Sequence, residues 1–149
     1  MNIRTTDIPP EGITTNEFLG RVAKVRSALD KAGLVGLLAF GDCWRGANIG
    51  YFTEFRPLDG VSDIANAVLL LPVDGDPVLF VSDQCFDYAT SVTAFEVRSL
   101  REVTQQVQAF SARHRSGTVG LAGAAYIPAD LLKRLNAGLG ELKLEPTTE

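Results

Sequence analysis

Two hydrophobic periods alternate along this chain. Phe18, Val22, Val25, Leu29 and Ala32 recur at steps of four and three, which draws one apolar stripe along a helix. Thr14-Thr15-Asn16-Glu17 stands ahead of the stripe. It fits a capping box, with Thr14 capping the first turn and Glu17 reaching back to its amide. Gly33 supplies the stop, because glycine takes the left-handed conformation after a helix without steric cost. Val35 to Phe40 then runs apolar without polar alternation, the pattern of a strand buried on both faces. Ala65–Leu71 and Pro77–Val81 are further apolar runs, separated by Asp74-Gly75-Asp76. Asp-Gly between strands signals a hairpin whose favoured turn sets both central residues at positive φ. Pro72 and Pro77 fall at strand ends, where a missing amide does least harm.

The same reading continues to the end of the chain. Ser82-Asp83 predicts the cap of a short helix through Ser91, and Phe95–Val97 a short strand. Ser99-Leu100-Arg101-Glu102 is a second capping box. It leads a helix that buries Leu100, Val103, Val107 and Phe110 and ends near Arg115. Thr118–Ala122 reads as a strand, Pro128 opens a last helix carrying Leu131, Leu132 and Leu135, and Leu142–Leu144 is a final strand. This order predicts an α/β domain: a mixed β-sheet of about six strands with helices on both faces. Residues 1–13 are polar, contain Pro9-Pro10 and read as a flexible arm, so the domain spans 14–145. Gly41 to Gly60 is the least regular stretch, and a connection this long inside a compact domain is often functional.

Composition narrows the possibilities. A chain of 149 residues that is 46% hydrophobic is one domain with a core rather than a disordered polymer. Fourteen basic against 18 acidic residues give a net charge of −4, with no basic excess for nucleic acid or an anionic membrane. No apolar run approaches the roughly 18–20 residues of a membrane span, and the N-terminus lacks the apolar core of a signal peptide. Two cysteines outside any CxxC spacing read as reduced thiols of a cytoplasmic protein. One histidine and two cysteines argue against a zinc site of the His/Cys type.

Most motifs that carry chemistry fail on inspection. No GxGxxG links a strand to a helix and no GxxxxGK[ST] occurs, so neither phosphate-binding loop is present. The turn before Pro128 reads as a plain strand-to-helix turn rather than an anion site. His114, between Arg113 and Arg115, suits a helix C-terminus and its dipole. Cys85 reads as packing. Cys43 lies beside Asp42, whose carboxylate would raise the thiol pKa and disfavour a nucleophile. Asp74 and Asp76 belong to the hairpin. Asp59 and Asp63 lack the further ligands of a metal site.

What remains is a loop that gathers Asp42, Trp44, Arg45, Asn48, Tyr51, Phe52, Arg56 and Asp59. Trp, Tyr and Arg are favoured at interface hot spots, and Arg56 has the fork to grip a carboxylate. A plainer reading has Trp44, Tyr51 and Phe52 covering the sheet edge while Arg45 and Arg56 are solvated. For the loop as a whole the expectation is contact with a partner or ligand.

Glu17-Phe18-x-x-Arg21-x-x-Lys24-Val25-Arg26-x-x-Leu29, Ala32-Gly33-Leu34-Val35-Gly36-Leu37-Leu38 and Asn48-Ile49-Gly50-Tyr51-Phe52-Thr53-x-Phe55 resemble the N-terminal domain of the creatinase/prolidase/aminopeptidase P family. The last segment is similar to that family's N-(I/V)-x-Y-L-T-G-F, and the hairpin of Ala67–Leu71 and Pro77–Val81 matches as well. Glu54 departs from the pattern, standing where the family often has Gly. The resemblance implies a domain that precedes a larger catalytic domain, with residues 146–149 starting the linker to it. That second domain would supply two Asp, one His and two Glu for two divalent metals (Mn, Co or Zn), so this chain would hold no cofactor and no catalytic residue. It also implies a homodimer of the full-length protein and loops that shape the site for a small peptide or an amidino/amide substrate. Trp44, Arg45, Asn48, Tyr51, Phe52, Arg56 and Asp59 are the candidates for that role. The alternative is a free-standing α/β binding or interaction module that uses the 42–59 loop.

Overall fold

The computed structural model describes residues 13–57 and 65–147. The expected N-terminal arm, except for residue 13, lies outside them, as do Asp59 and Asp63. Five helices and six strands follow one another: α1 (Thr15–Lys31), β1 (Leu34–Asp42), α2 (Ala47–Thr53), β2 (Asn66–Pro72), β3 (Val78–Val81), α3 (Phe86–Val92), β4 (Glu96–Ser99), α4 (Val103–Arg113), β5 (Thr118–Ala122), α5 (Ala129–Leu139) and β6 (Lys143–Pro146). Short 3₁₀ turns lead into α3 and α4. The strands form one sheet in the order β4-β3-β2-β1-β5-β6. β2 runs antiparallel to β1 and β3, while the β1–β5, β3–β4 and β5–β6 pairs are parallel. The sheet is therefore mixed, with six strands, as the pattern predicts.

Strand periodicity divides the core in two, because successive side chains point to opposite faces. Leu37, Ala39, Ala67, Leu69, Leu71, Leu79 and Val81 pack with Val22 and Leu29 of α1 and Ile49 and Phe52 of α2. Leu38, Phe40, Val68, Leu70 and Phe80 pack with Val103, Val107 and Phe110 of α4 and Leu131, Leu135 and Leu139 of α5. The uninterrupted apolar runs in β1 and β2 reflect this cover on both sides.

Local chemistry departs from expectation at several points. Thr14 caps α1 by accepting from the Glu17 amide at 3.2 Å, but the Glu17 carboxylate takes Arg21 Nε at 3.0 Å instead of closing a box. Gly33 has φ +71° and ends α1 as predicted. The β2–β3 hairpin forms, yet neither Asp74 nor Gly75 has positive φ. Five residues separate the strands, and side chains hold the turn: Arg26 of α1 donates to the carbonyls of Pro72 (3.1 Å) and Gly75. His114 Nε2 lies 3.5 Å from Asp74, so this histidine serves the hairpin as well as the end of α4. The Ser82 hydroxyl caps no helix; it bonds both the amide and the carbonyl of Asn66 across the sheet. The second capping box is complete at Ser99 and Glu102. β4 begins one residue later than predicted and runs on to Ser99, because it pairs Val78 to Val81 with Glu96 to Ser99.

α4 and α5 approach closely through Gly138. A Cβ there would lie 2.7 Å from the Thr104 carbonyl oxygen and 3.0 Å from Val107 Cβ. Ser111 Oγ donates to the Leu139 carbonyl at 2.7 Å beside this contact. Gly138→Ala should destabilise the fold by about 1–3 kcal/mol through overpacking, read as a lower urea midpoint. Gly20→Ala in α1, where no neighbour lies within 4 Å, should stabilise it by about 0.5–1 kcal/mol.

Candidate functional site

β1 is apolar until its last residue, Asp42, and buried from Gly36 onward. There the carboxylate, with only 3% of its side chain exposed, turns the chain. It accepts from the amides of Trp44 at 2.9 Å and Arg45 at 2.8 Å, and its second oxygen takes Arg45 Nε at 3.1 Å and Nη2. Burial works against the charged form of Asp42, but the hydrogen bonds from the Arg45 side chain and from the Arg45 and Trp44 amides outweigh it. The carboxyl is held below its ordinary value. The same pairing raises the pKa of Arg45. Arg45 is thus not simply solvated: two of its nitrogens are fixed on Asp42, and its guanidinium carbon lies 4.6 Å from the centroid of the Tyr126 ring.

The turn ends in a helix that the loop reading did not predict. Ile49, Phe52 and Thr53 of α2 are buried, a spacing of three and four that places them on one face. Thr53 Oγ1 donates to the Ile49 carbonyl at 2.8 Å and accepts from the Phe55 amide at 3.2 Å, closing the helix internally. Glu54 follows with φ +59°, the left-handed conformation that suits the Gly often found there in the resembling family. Asn48, half-buried one turn before Phe52 on α2, donates through Nδ2 to the Phe40 carbonyl at 3.4 Å.

The structure sorts the candidate residues. Trp44, Arg45 and Asn48 line one cleft of about 290 Å³ together with Phe40, Ala47 and Tyr126. Trp44 is 75% exposed and Tyr126 51%. Tyr51 faces elsewhere: its carbonyl accepts from Arg21 Nη1 at 2.8 Å and its ring lies 4.9 Å from the Arg21 guanidinium. Phe52 is a core residue rather than a cover on the sheet edge. Arg56 lies along α2, its Cζ 3.6 Å from where a Cβ on Gly50 would stand. Asp59 lies outside the described residues. Sequence reasoning missed Tyr126, which enters from the turn after β5. The sequence signals it only as an aromatic residue four positions after the strand Thr118–Ala122; its place at the cleft follows from β5 lying beside β1. Neither cysteine is in a disulfide, and Cys85 is buried.

The cleft lies at the carboxyl ends of β1 and β5, adjacent parallel strands. From β1 the chain leads to β2 on one side, and from β5 to β6 on the other. Such a switch point is where open α/β sheets commonly place a ligand. Among the described residues no group of three or more His, Cys, Asp or Glu could hold a metal, so the side chains described here do not fit a two-metal centre. No helix among them is long and apolar enough to cross a membrane.

A mixed six-stranded sheet with this order and this pair of helix layers defines the class, and the comparisons with known proteins define the family. The chain belongs to the creatinase/prolidase N-terminal domain family, whose model matches residues 21–149. Its fold is similar to the N-terminal domain of an X-Pro dipeptidase from Streptococcus pyogenes, with TM-score 0.66 and 15% identity, covering 86% of this chain and 99% of that one. The N-terminal domain of the cytoplasmic peptidase PepQ from Mycobacterium tuberculosis gives TM-score 0.64 and 21% identity, over 87% of this chain and 93% of that one. Prolidase from Thermococcus sibiricus gives TM-score 0.66 and 16% identity over 91% of this chain, which spans 35% of that protein. No curated protein matches the chain in sequence.

Two outcomes test the local account. Asp42→Asn should cost about 1–3 kcal/mol at pH 7 in urea unfolding, because charge-assisted bonds to a buried group are lost. Since the folded pKa of Asp42 is depressed, its contribution is complete above the unfolded value near 3.9 and fades as the pH falls through the folded one. The gap between wild type and variant should therefore narrow below about pH 4. Glu54→Gly should stabilise the fold by about 0.5–1 kcal/mol, relief of left-handed strain exceeding the added entropy of the unfolded chain.

Proposed function

We propose that the chain is the non-catalytic N-terminal domain of a hydrolase of the Xaa-Pro peptidase or creatinase type. In this reading it helps form a homodimer and shapes the site for a small peptide or an amidino/amide substrate in the cytoplasm. The observation that supports it is the family match over residues 21–149, joined to fold similarity with the N-terminal domain of an X-Pro dipeptidase. A divalent metal, Mn, Co or Zn, would be held by a second domain, and no chemical step is assigned to residues of this chain. Trp44, Arg45 and Asn48, which share one cleft, would be the residues that meet a neighbouring domain or substrate. Tyr51 lies on α2 and Arg56 just after it, and Phe52 supports the helix from the core.

The test has two arms. This chain assayed with Mn²⁺ on Xaa-Pro dipeptides and on creatine should give no turnover, and robust hydrolysis would overturn the reading. The coding sequence downstream of Glu149 should continue into a domain bearing two Asp, one His and two Glu. A stop codon in its place would favour the free-standing binding module.

A further inference from the structure

The Asp42–Arg45 pair gives the cleft an unusual electrical character. Arg45 brings a cation to the cleft wall, but Nε and Nη2 are fixed on the Asp42 carboxylate, so the pair carries no net charge. Among the described residues no acceptor is hydrogen-bonded to Nη1, and 45% of the side chain is exposed. The guanidinium is therefore held in place before any ligand arrives, with donors still to offer and little field to attract an anion. Asn48 uses Nδ2 on the Phe40 carbonyl, which leaves its Oδ1 as an acceptor. Trp44 and Tyr126 add two flat apolar surfaces, each at least half exposed.

We propose that this cleft binds a small, uncharged, planar heterocycle with an amide-type edge, its ring against the aromatic side chains, its carbonyl accepting from Arg45 Nη1 and its ring N–H donating to Asn48 Oδ1. Each wall fits that class. Rigid aromatic faces favour flat rings. A donor from Arg45 and an acceptor from Asn48 on the walls of one cleft match a –CO–NH– edge. A neutralised arginine favours a neutral ligand over a carboxylate or phosphate, since the Coulomb attraction that an isolated cation would supply is already taken by Asp42. The volume of about 290 Å³ is of the scale of small-ligand pockets. The proposal concerns binding by the chain itself and stands apart from the hydrolase reading.

Trp44 is the single tryptophan, so its indole N–H gives one resonance that reports on the cleft directly. Uracil and hypoxanthine, titrated into the ¹⁵N-labelled chain, should shift that resonance saturably at up to about 10 mM, the affinity range of fragments of this size. Orotate, which adds a carboxylate to the uracil ring, should bind no more tightly than uracil. Asn48→Ala should weaken uracil binding about tenfold by removing one edge bond. Tyr126→Leu should weaken it as well, with the melting temperature of each variant checking the fold. No saturable shift with either neutral probe would overturn the proposal. Tenfold tighter binding of orotate would also overturn it and make the cleft an anion site, and uracil binding unchanged in both variants would place the ligand elsewhere.

Discussion

Everything near the cleft depends on one buried carboxylate. β1 is covered on both faces by helices, and its side chains are apolar until Asp42. A charge placed there must be satisfied within the protein, because removing it from water costs several kcal/mol unless hydrogen bonds replace hydration. The chain provides them by turning sharply, so that the next two available amides and the Arg45 guanidinium converge on the two oxygens. The turn that follows is the consequence of that requirement. It projects Trp44 into solvent, fixes Arg45 over Tyr126 and delivers the chain into α2.

α2 completes the arrangement by a different means. Its hydrophobic face, Ile49 and Phe52, joins the core beneath α1, and Arg21 of α1 reaches over to the Tyr51 carbonyl and ring. The helix is thus anchored from below and from one end. Asn48, one turn before Phe52, lines the cleft, whereas Tyr51 and Arg56 do not. Electrostatics holds the turn and apolar packing holds the helix, and the cleft lies where the two meet.

Strand and helix identities were legible because they follow from repetition. Val35 to Phe40 reads as a doubly covered strand, and Phe18 to Ala32 as an amphipathic helix. Interactions between distant residues were not legible. The hairpin turn was misjudged because Arg26, nearly fifty residues away along the chain, holds it in a conformation that needs no positive φ. Two capping serines look alike in sequence, yet Ser99 caps its helix and Ser82 bonds across to Asn66. Which one caps depends on a strand lying alongside. At the site, Trp44, Arg45 and Asn48 stood out by residue type, but their separation from Tyr51 and Arg56 required the helix, and Tyr126 required knowledge that β5 lies next to β1. The spacing of Ile49, Phe52 and Thr53 did encode α2, in a segment too short and too rich in Gly for periodicity to dominate.

The two rims of the sheet have a consequence for how this domain meets other proteins. β4 is four residues long and carries Arg98 tied to Glu96 at 2.7 Å and to Glu102 at 3.1 Å. β6, at the other rim, ends in Pro146, which has no amide to donate. Short, charged or proline-terminated borders are poor templates for adding a strand. Growth of the sheet by edge-to-edge recruitment is thereby discouraged on both sides, and recognition is left to side-chain surfaces such as the one around Trp44.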